Sequence, residues 1–422
     1  MTRPQPSEQT PLVERSRFAS FPLIVLLVAH GLSLVGNAVT VIVVPLYVLE
    51  LTGSVAATGV AGAFATVPMI IGGALGGVLV DRFGFRRAAV VADLASGVTV
   101  LAIPVLALTS GMPFGLLLLL VFLSGLLDTP GRTAKEALVP DFAHDAGIVL
   151  TRATAVSSAI SRSATLLGAA GASILLVSIG ALNSLFVDAI TFAISALLIG
   201  VVLPRARASD AVSSEVSGPA SMWAQFLDGI GYVAKTPIIR SVVALVVVTN
   251  LIDAAGFLVL FPVYSRSVTP DGSFLGLIMG CFAGGALAGA LLFAQFGHRL
   301  PRRALLVGGF LIAGPVPYLA ILAELPPVAV LTAMLAAGLA AGSLNPLLSA
   351  TLYEIVPRAI RARVLGTLTT GVTAGMPLGS LLAGATVEVW GLTPVLIGAV
   401  VVYVIAAVAP LFGKSWLALK EA

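Results

Sequence analysis

Residues Gly72–Arg87 read GGALGGVLVDRFGFRR, and this stretch decides the fold. Its first part is apolar and rich in glycine, while its second part carries one aspartate, Asp81, and three arginines. An apolar run that ends in a short basic loop and then resumes is typical of two membrane-spanning helices joined on the cytoplasmic side. Small residues let helix backbones approach closely within a bilayer. The stretch therefore predicts a membrane protein built of closely packed helices.

The composition of the whole chain supports this interpretation. Of its 422 residues, 58% are hydrophobic and only 10% are charged. Soluble domains are about 45–50% apolar and about 25% charged, so a water-soluble core would not hide this much apolar surface. A membrane-spanning helix needs about 20 mostly apolar residues. The sequence contains twelve such runs, at 21–49, 55–80, 87–108, 113–134, 150–178, 182–203, 238–264, 273–297, 303–323, 327–355, 362–387 and 393–413.

These runs predict an all-α membrane protein with two six-helix bundles. The loop-like stretch between the sixth and seventh runs predicts a cytoplasmic linker, in which residues 224–235 form a short interfacial helix. The expected organisation is an N-terminal tail at 1–20, a bundle at 21–203, the linker at 204–237, a second bundle at 238–413 and a C-terminal tail at 414–422.

The basic residues predict how the chain is oriented. If the N-terminus is cytoplasmic, 21 of the 23 Lys and Arg residues lie in or beside cytoplasmic segments, and the exceptions are Arg162 and Arg266. A bias of this size predicts that both termini are cytoplasmic. It also explains the net charge of +4 through contact with acidic lipid headgroups, so we expect no nucleic-acid partner.

The two predicted bundles share a sequence repeat at an offset of about 212 residues. The motif at Gly72–Gly77, GGALGG, returns at Gly284–Gly289 as GGALAG, and each copy is followed by Phe-Gly and then by basic residues. Two six-helix halves related by a parallel repeat are found in one class of secondary transporters.

The loop from Gly77 to Arg87, GVLVDRFGFRR, resembles the signature loop of the major facilitator superfamily, G-x-L-a-D-r-x-G-r-[RK]. The resemblance implies alternating access and a latch between the halves, formed by Gly77, Asp81, Arg82, Gly84, Arg86 and Arg87. The alternative is a basic anchor loop with a structural salt bridge. Further segments resemble the drug-exporter branch that includes macrolide and mycobacterial multidrug efflux proteins: Val91–Asp93, Pro130–Pro140, Phe186–Asp188, Asn345–Pro346 and Arg361–Val364.

Two segments depart from the pattern of that family. Its exporters usually carry G-P-x-x-G in the fifth span, where this chain has Gly168–Gly171 without a proline. The first span often carries an acid, where this chain has Gly36 and Asn37. Because Asn does not titrate, we do not expect this position of the first span to carry protons.

Charged residues within spans are candidate functional residues, because burying a charge in a membrane is costly. Arg162 lies near mid-bilayer, and we expect it to pair with Asp128 or, failing that, Asp188; such a pair can also serve packing alone. Asp128 is also placed to pair with Arg132 along its own helix. Asp93 belongs either to the loop latch, through Arg86, or to the substrate site.

A second group of polar residues is expected to face the transport cavity. Asp253 follows Asn250 by one turn, with no basic residue near it in sequence, and either carries protons or bonds a neighbouring helix. His30 and Asn37 lie two turns apart on the first span, where His30 either titrates or serves packing. The resemblance implies that spans one, four, seven and ten line the cavity, which adds Asn345 and Asp128.

These features predict a multi-pass exporter in the cell (inner) membrane that moves hydrophobic or amphipathic small molecules by proton antiport. The alternatives are a carrier for a specific metabolite, lipid or siderophore, and a non-transporting receptor. We expect no enzyme and no cofactor apart from the coupling proton, since neither a nucleotide-binding loop nor a nucleophile–base arrangement is present. The single cysteine, Cys281, and the scattered His30, His144 and His298 predict neither disulfide nor metal site. Membrane lipids and the transported small molecule are the expected partners, and we expect a monomer.

Overall fold

The computed structural model describes residues 20–203, 231–299, 301–356 and 361–412, and within these ranges it contains helices, turns and short loops but no strands. A π-helical turn, Gly256–Leu260, joins α6 to α7. The helices are α1 (Phe21–Thr52), α2 (Val55–Phe83), α3 (Phe85–Thr109), α4 (Phe114–Asp145), α5 (Leu150–Val202), α6 (Pro237–Ala255), α7 (Phe261–Val268), α8 (Phe274–Phe296), α9 (Arg302–Ala313), α10 (Pro315–Leu322), α11 (Pro327–Ile355), α12 (Arg361–Trp390) and α13 (Leu392–Phe412).

The predicted tails at 1–20 and 414–422 lie outside the described residues, except for Ser20. Most of the predicted linker also lies outside them, because the described chain resumes at residue 231. Residues 231–235 are helical, and they coincide with the end of the predicted interfacial helix.

Eleven helical segments of the described chain are long and apolar enough to cross a membrane, when α6 with α7 and α9 with α10 are each counted as one segment. One of them, α5, has 53 residues, or about 80 Å at 1.5 Å per residue, against a hydrocarbon core of about 30 Å. It is broken at Gly180, whose φ of 78° and ψ of 171° lie outside the helical region and are accessible chiefly to glycine. The break separates a first arm from a second arm at the boundary predicted between the fifth and sixth spans.

The outer surface of the bundle is apolar, as expected for contact with lipid. Large hydrophobic side chains are exposed along the helices, among them Ile174, Val201 and Val389, each more than two-thirds exposed. Together with the long apolar helices, this surface identifies a multi-pass membrane protein.

Glycines of the repeated motif lie at helix–helix contacts in both halves of the chain. In the N-terminal half (α1–α5), Gly72 lies against Thr129 of α4. In the C-terminal half (α6–α13), Gly285 of α8 lies against the backbone of α11, where a Cβ would stand 2.2 Å from the carbonyl oxygen of Leu335. No side chain fits in that space, so the second copy of the motif allows direct contact between helix backbones.

The two halves are joined at the end of the bundle opposite the start of α1 and the end of α13. The Glu388 carboxylate of α12 accepts hydrogen bonds from the backbone N–H groups of Val55 (2.7 Å) and Ala56 (3.0 Å) and from the Ser54 hydroxyl (3.2 Å), and so caps the start of α2. The positive end of the α2 dipole favours this contact. We call these contacts the Glu388 clamp.

Two further contacts lie at the same end. The Arg266 guanidinium donates to the carbonyl oxygen of Leu46 and to the Glu50 carboxylate, both at 3.2 Å. The Ser173 hydroxyl donates to the carbonyl oxygen of Ser273 at 3.0 Å. Each contact joins the N-terminal half to the C-terminal half, and together they close this end of the bundle.

Replacing Glu388 should loosen this end, because α2 would lose the carboxylate that caps its start. We expect Glu388→Ala to add a longer component to the distance distribution between spin labels at Leu51 and Trp390, measured by pulsed electron paramagnetic resonance. Asp145→Ala, at the other end of the bundle, is the matched control. An unchanged distribution in the Glu388 variant would show that the clamp does not hold the halves together.

Candidate functional site: buried carboxylates and a cavity between the halves

A fully buried ion pair lies inside the N-terminal half. Lys135 Nζ of α4 is 2.8 Å from Asp93 Oδ1 of α3, and neither side chain has any exposed surface. The same ammonium donates to Ser33 Oγ of α1 at 2.8 Å, and Ser195 Oγ of the second α5 arm donates to Asp93 Oδ2 at 2.6 Å. This Asp93–Lys135 network therefore connects four helical segments and supplies each charge with partners, which offsets the cost of burial.

The network changes two expectations drawn from the sequence. Asp93 pairs with Lys135, whereas the expected partner Arg86 donates to the carbonyl oxygen of Gly200. Lys135 is not the loop cation that the charge count assumed, because α4 continues to Asp145 beyond the predicted span at 113–134. Sequence reasoning missed Lys135 as a site residue. The available signal was that no proline or glycine lies between Lys135 and Pro140, so that α4 can continue past the apolar run.

Two further carboxylates in this half are held by neutral donors. Asn37 Nδ2 donates to Asp128 at 3.1 Å, and Thr40 Oγ1, one turn later on α1, donates to Asp188 at 2.5 Å. Thr191 Oγ1 lies 3.3 Å from the other oxygen of Asp188. One face of α1 thus binds an acid of α4 and an acid of the second α5 arm.

Arg162 does not form the expected pair in this structure. Among the described side chains, no carboxylate lies within 4.0 Å of its guanidinium, so neither Asp128 nor Asp188 pairs with it. The physical reason is its direction, since Arg162 faces a cavity whose other walls belong to the C-terminal half. Sequence spacing had given its depth in the membrane but not the side of the helix on which it lies.

This cavity has a volume of about 200 Å³ and brings together several residues predicted to act in transport. Arg162 is the single lining residue that the described N-terminal half contributes. Asn250, Asp253 and Asn345, which the sequence analysis singled out, line the other walls. Aromatic side chains complete much of the remaining surface: Phe257, Phe261, Phe282, Phe310, Tyr318 and Tyr403.

Asp253 is bound within this cavity by one tyrosine, and a second tyrosine binds the backbone next to it. Its carboxyl group is hydrogen-bonded to the Tyr403 hydroxyl, while the Tyr318 hydroxyl donates to the carbonyl oxygen of Ile252 at 3.1 Å. Glycines make room for both rings: a Cβ on Gly256 would meet the Tyr318 hydroxyl, and one on Gly314 would meet the Tyr403 ring. The sequence showed no basic residue near Asp253, but the fold places Arg162 in the same cavity.

The remaining predicted residues lie elsewhere. His30 is 2% exposed, neither ring nitrogen has a hydrogen-bond partner among the described residues, and it does not line this cavity with Asn37. Gly84 has a φ of 77° and precedes α3, and the Arg87 side chain is exposed. The surroundings of Gly77 and the side chains of Asp81 and Arg82 lie outside the described part of the structure, so the loop latch stays a prediction.

Breaking the Asp93–Lys135 pair from one side should destabilise the protein strongly, because it leaves an uncompensated buried charge. We expect Lys135→Met or Asp93→Asn alone to cost about 3–5 kcal/mol and to lower the thermal unfolding midpoint of the purified protein. The double variant should be more stable than the worse single variant, and Arg152→Met, at an exposed arginine of α5, is the control. Losses that simply add would contradict the pairing.

Comparison with known proteins agrees with this fold. The family model described as Major Facilitator Superfamily matches residues 26–268 and 243–417. The chain is 29% identical over 375 residues to Multidrug efflux pump Tap of Mycolicibacterium fortuitum, covering 88% of this chain and 90% of that protein. It is 27% identical to the pump of the same name from Mycobacterium tuberculosis, covering 88% of each chain.

Solved structures show the same fold at lower identity. The nucleoside transporter NupG (D323A mutant) matches with a TM-score of 0.79 at 14% identity, over 94% of this chain and 99% of that one. The inward-open xylose transporter XylE from E. coli matches with a TM-score of 0.68 at 16% identity, over 94% and 98%. The resemblance to multidrug exporters is confirmed, and this chain belongs to the major facilitator superfamily.

Proposed function

We propose that this transporter exports lipophilic or amphipathic small molecules by proton antiport and alternating access. The observation that carries the proposal is the cavity between the halves, which has aromatic walls, one basic side chain, Arg162, and one acidic side chain, Asp253. Aromatic and aliphatic surface with a few polar groups is typical of small-molecule sites. The similarity to multidrug efflux pumps over most of the chain supports export as the direction.

Alternating access requires two halves that open at one end at a time. The Glu388 clamp and the Arg266 and Ser173 contacts join the two halves at the end of the bundle where α1 ends and α2 begins. These contacts support a state that is closed at that end. We infer that both arms of α5 cross the membrane, which brings the eleven long helical segments to twelve spans. The basic residues then favour cytoplasmic termini and a place in the inner membrane.

Proton coupling is supported by the acids that form no ion pair within 4.0 Å in the described part of the chain. Among the described residues, Asp128, Asp188 and Asp253 are bound by amide or hydroxyl groups and not by a basic side chain. A carboxylic acid in such a setting can hold or release a proton as the site opens to water on one side or the other. In our account these three acids are the candidates for the coupling site, and the Asp93–Lys135 pair serves packing.

Transport should therefore depend on the proton gradient. In everted membrane vesicles from a host that lacks its own pumps, energised uptake of a lipophilic dye should collapse when an uncoupler is added. Asp128→Asn and Asp253→Asn should each lose most of this uptake, since neither amide exchanges a proton. Asp145→Asn, at an exposed position near the end of α4, is the matched control. Uptake that survives the uncoupler but is lost when a sodium gradient is removed would overturn proton coupling.

A further inference from the structure

The cavity between the halves contains one basic group whose charge is not satisfied by a described carboxylate. The guanidinium of Arg162 is partly exposed, and among the described side chains no acid lies within 4.0 Å of it. Asp253 lines the same cavity, but its carboxyl group is hydrogen-bonded to the Tyr403 hydroxyl. The positive charge of Arg162 is therefore free to meet a ligand.

The wall opposite Arg162 offers the complementary features of a binding site. Asn345 is exposed to the cavity, and its side chain has no hydrogen-bond partner among the described residues. Phe257 lies against Phe261 and Phe282 in edge-to-face contacts, with ring centroids 5.4 Å and 4.9 Å apart. These rings present an apolar surface suited to an aromatic or aliphatic body.

We propose that this cavity selects molecules with an apolar, aromatic body and an anionic group, and that Arg162 binds the anion. The proposal rests on the proposed transport function and names its substrate class. A guanidinium binds carboxylate and sulfonate oxygens through two parallel hydrogen bonds, which an ammonium does not reproduce. A cationic group placed beside Arg162 is disfavoured, because it brings two positive charges together.

The origin of the lining residues adds a mechanical consequence. Arg162 belongs to α5 of the N-terminal half, whereas the other residues around the cavity belong to the C-terminal half. A ligand whose anionic group contacts Arg162 while its body packs on Phe257 and Phe282 therefore joins the two halves. Binding of such a molecule favours the arrangement in which the halves meet around it.

A pair of fluorescent probes with one ring system tests the proposal on the purified protein in lipid nanodiscs. 1-Anilinonaphthalene-8-sulfonate carries the anionic group, and N-phenyl-1-naphthylamine lacks it. We expect Arg162→Gln to weaken binding of the sulfonate about tenfold or more, as for loss of a hydrogen bond to a charged group. Binding of the neutral probe should change by less than about twofold. Arg152→Gln, at an exposed arginine on the same helix, should change neither.

The other outcomes have defined meanings. If both probes lose affinity equally, Arg162 only shapes the cavity, and if neither changes, Arg162 does not contact the ligand; each result overturns the proposal. If the Gln variant does not fold, Arg162→Lys keeps the charge and should weaken the sulfonate alone, while an equal effect on both probes again overturns it. If Arg162→Gln weakens binding of the sulfonate alone but the protein transports nothing in vesicles, the proposed export is contradicted. The assignment of Arg162 as the anion-binding residue is then still supported.

Discussion

A charge inside a helix bundle that is surrounded by lipid must be compensated, and this constraint organises the N-terminal half. Asp93 and Lys135 satisfy it completely, because the two side chains pair at 2.8 Å and hydroxyl groups from two further segments bind them. Removing one charge costs more than removing both, so such a pair fixes the positions of α1, α3, α4 and the second α5 arm. The neighbouring acids Asp128 and Asp188 are bound only by neutral donors. We therefore assign the Asp93–Lys135 pair to packing and regard Asp128 and Asp188 as candidates for function.

The C-terminal half compensates its charge differently. Asp253 is bound by Tyr403, and the cation that shares its cavity, Arg162, comes from the other half of the molecule. The charges of the cavity are thus divided between two bodies that are joined at one end by the Glu388 clamp. If the halves move relative to one another, the separation of these charges must change. That relation links the electrostatics of the cavity to the conformational cycle proposed for a secondary transporter.

The sequence predicted the helical membrane fold and singled out Arg162, Asp253 and Asn345, because long apolar runs and isolated polar residues within them are strong signals. It also placed His30 and Asn37 at a cavity, but they do not line this one, and it did not indicate the aromatic lining. The predictions failed where a residue's partners depend on the side of the helix that it faces, or on how far the helix continues. Arg162 was assigned to Asp128 by depth alone, whereas the helix directs it into the cavity that Asp253 also lines. Lys135 was counted as a loop cation, because its apolar run ends before α4 does. The break at Gly180 was expected from the lengths of the two runs, and the positive φ of that glycine supplies the reason.

The central claim is that substrate and protons move in opposite directions through this protein. Proteoliposomes that contain the purified protein, an internal pH-sensitive dye and a transported compound test it directly. When the vesicles are diluted into compound-free buffer of equal pH, the compound leaves, and the account predicts that the interior becomes acidic as protons enter. Protein-free vesicles should show no such change. Release of the compound through the protein with a constant internal pH would contradict proton antiport.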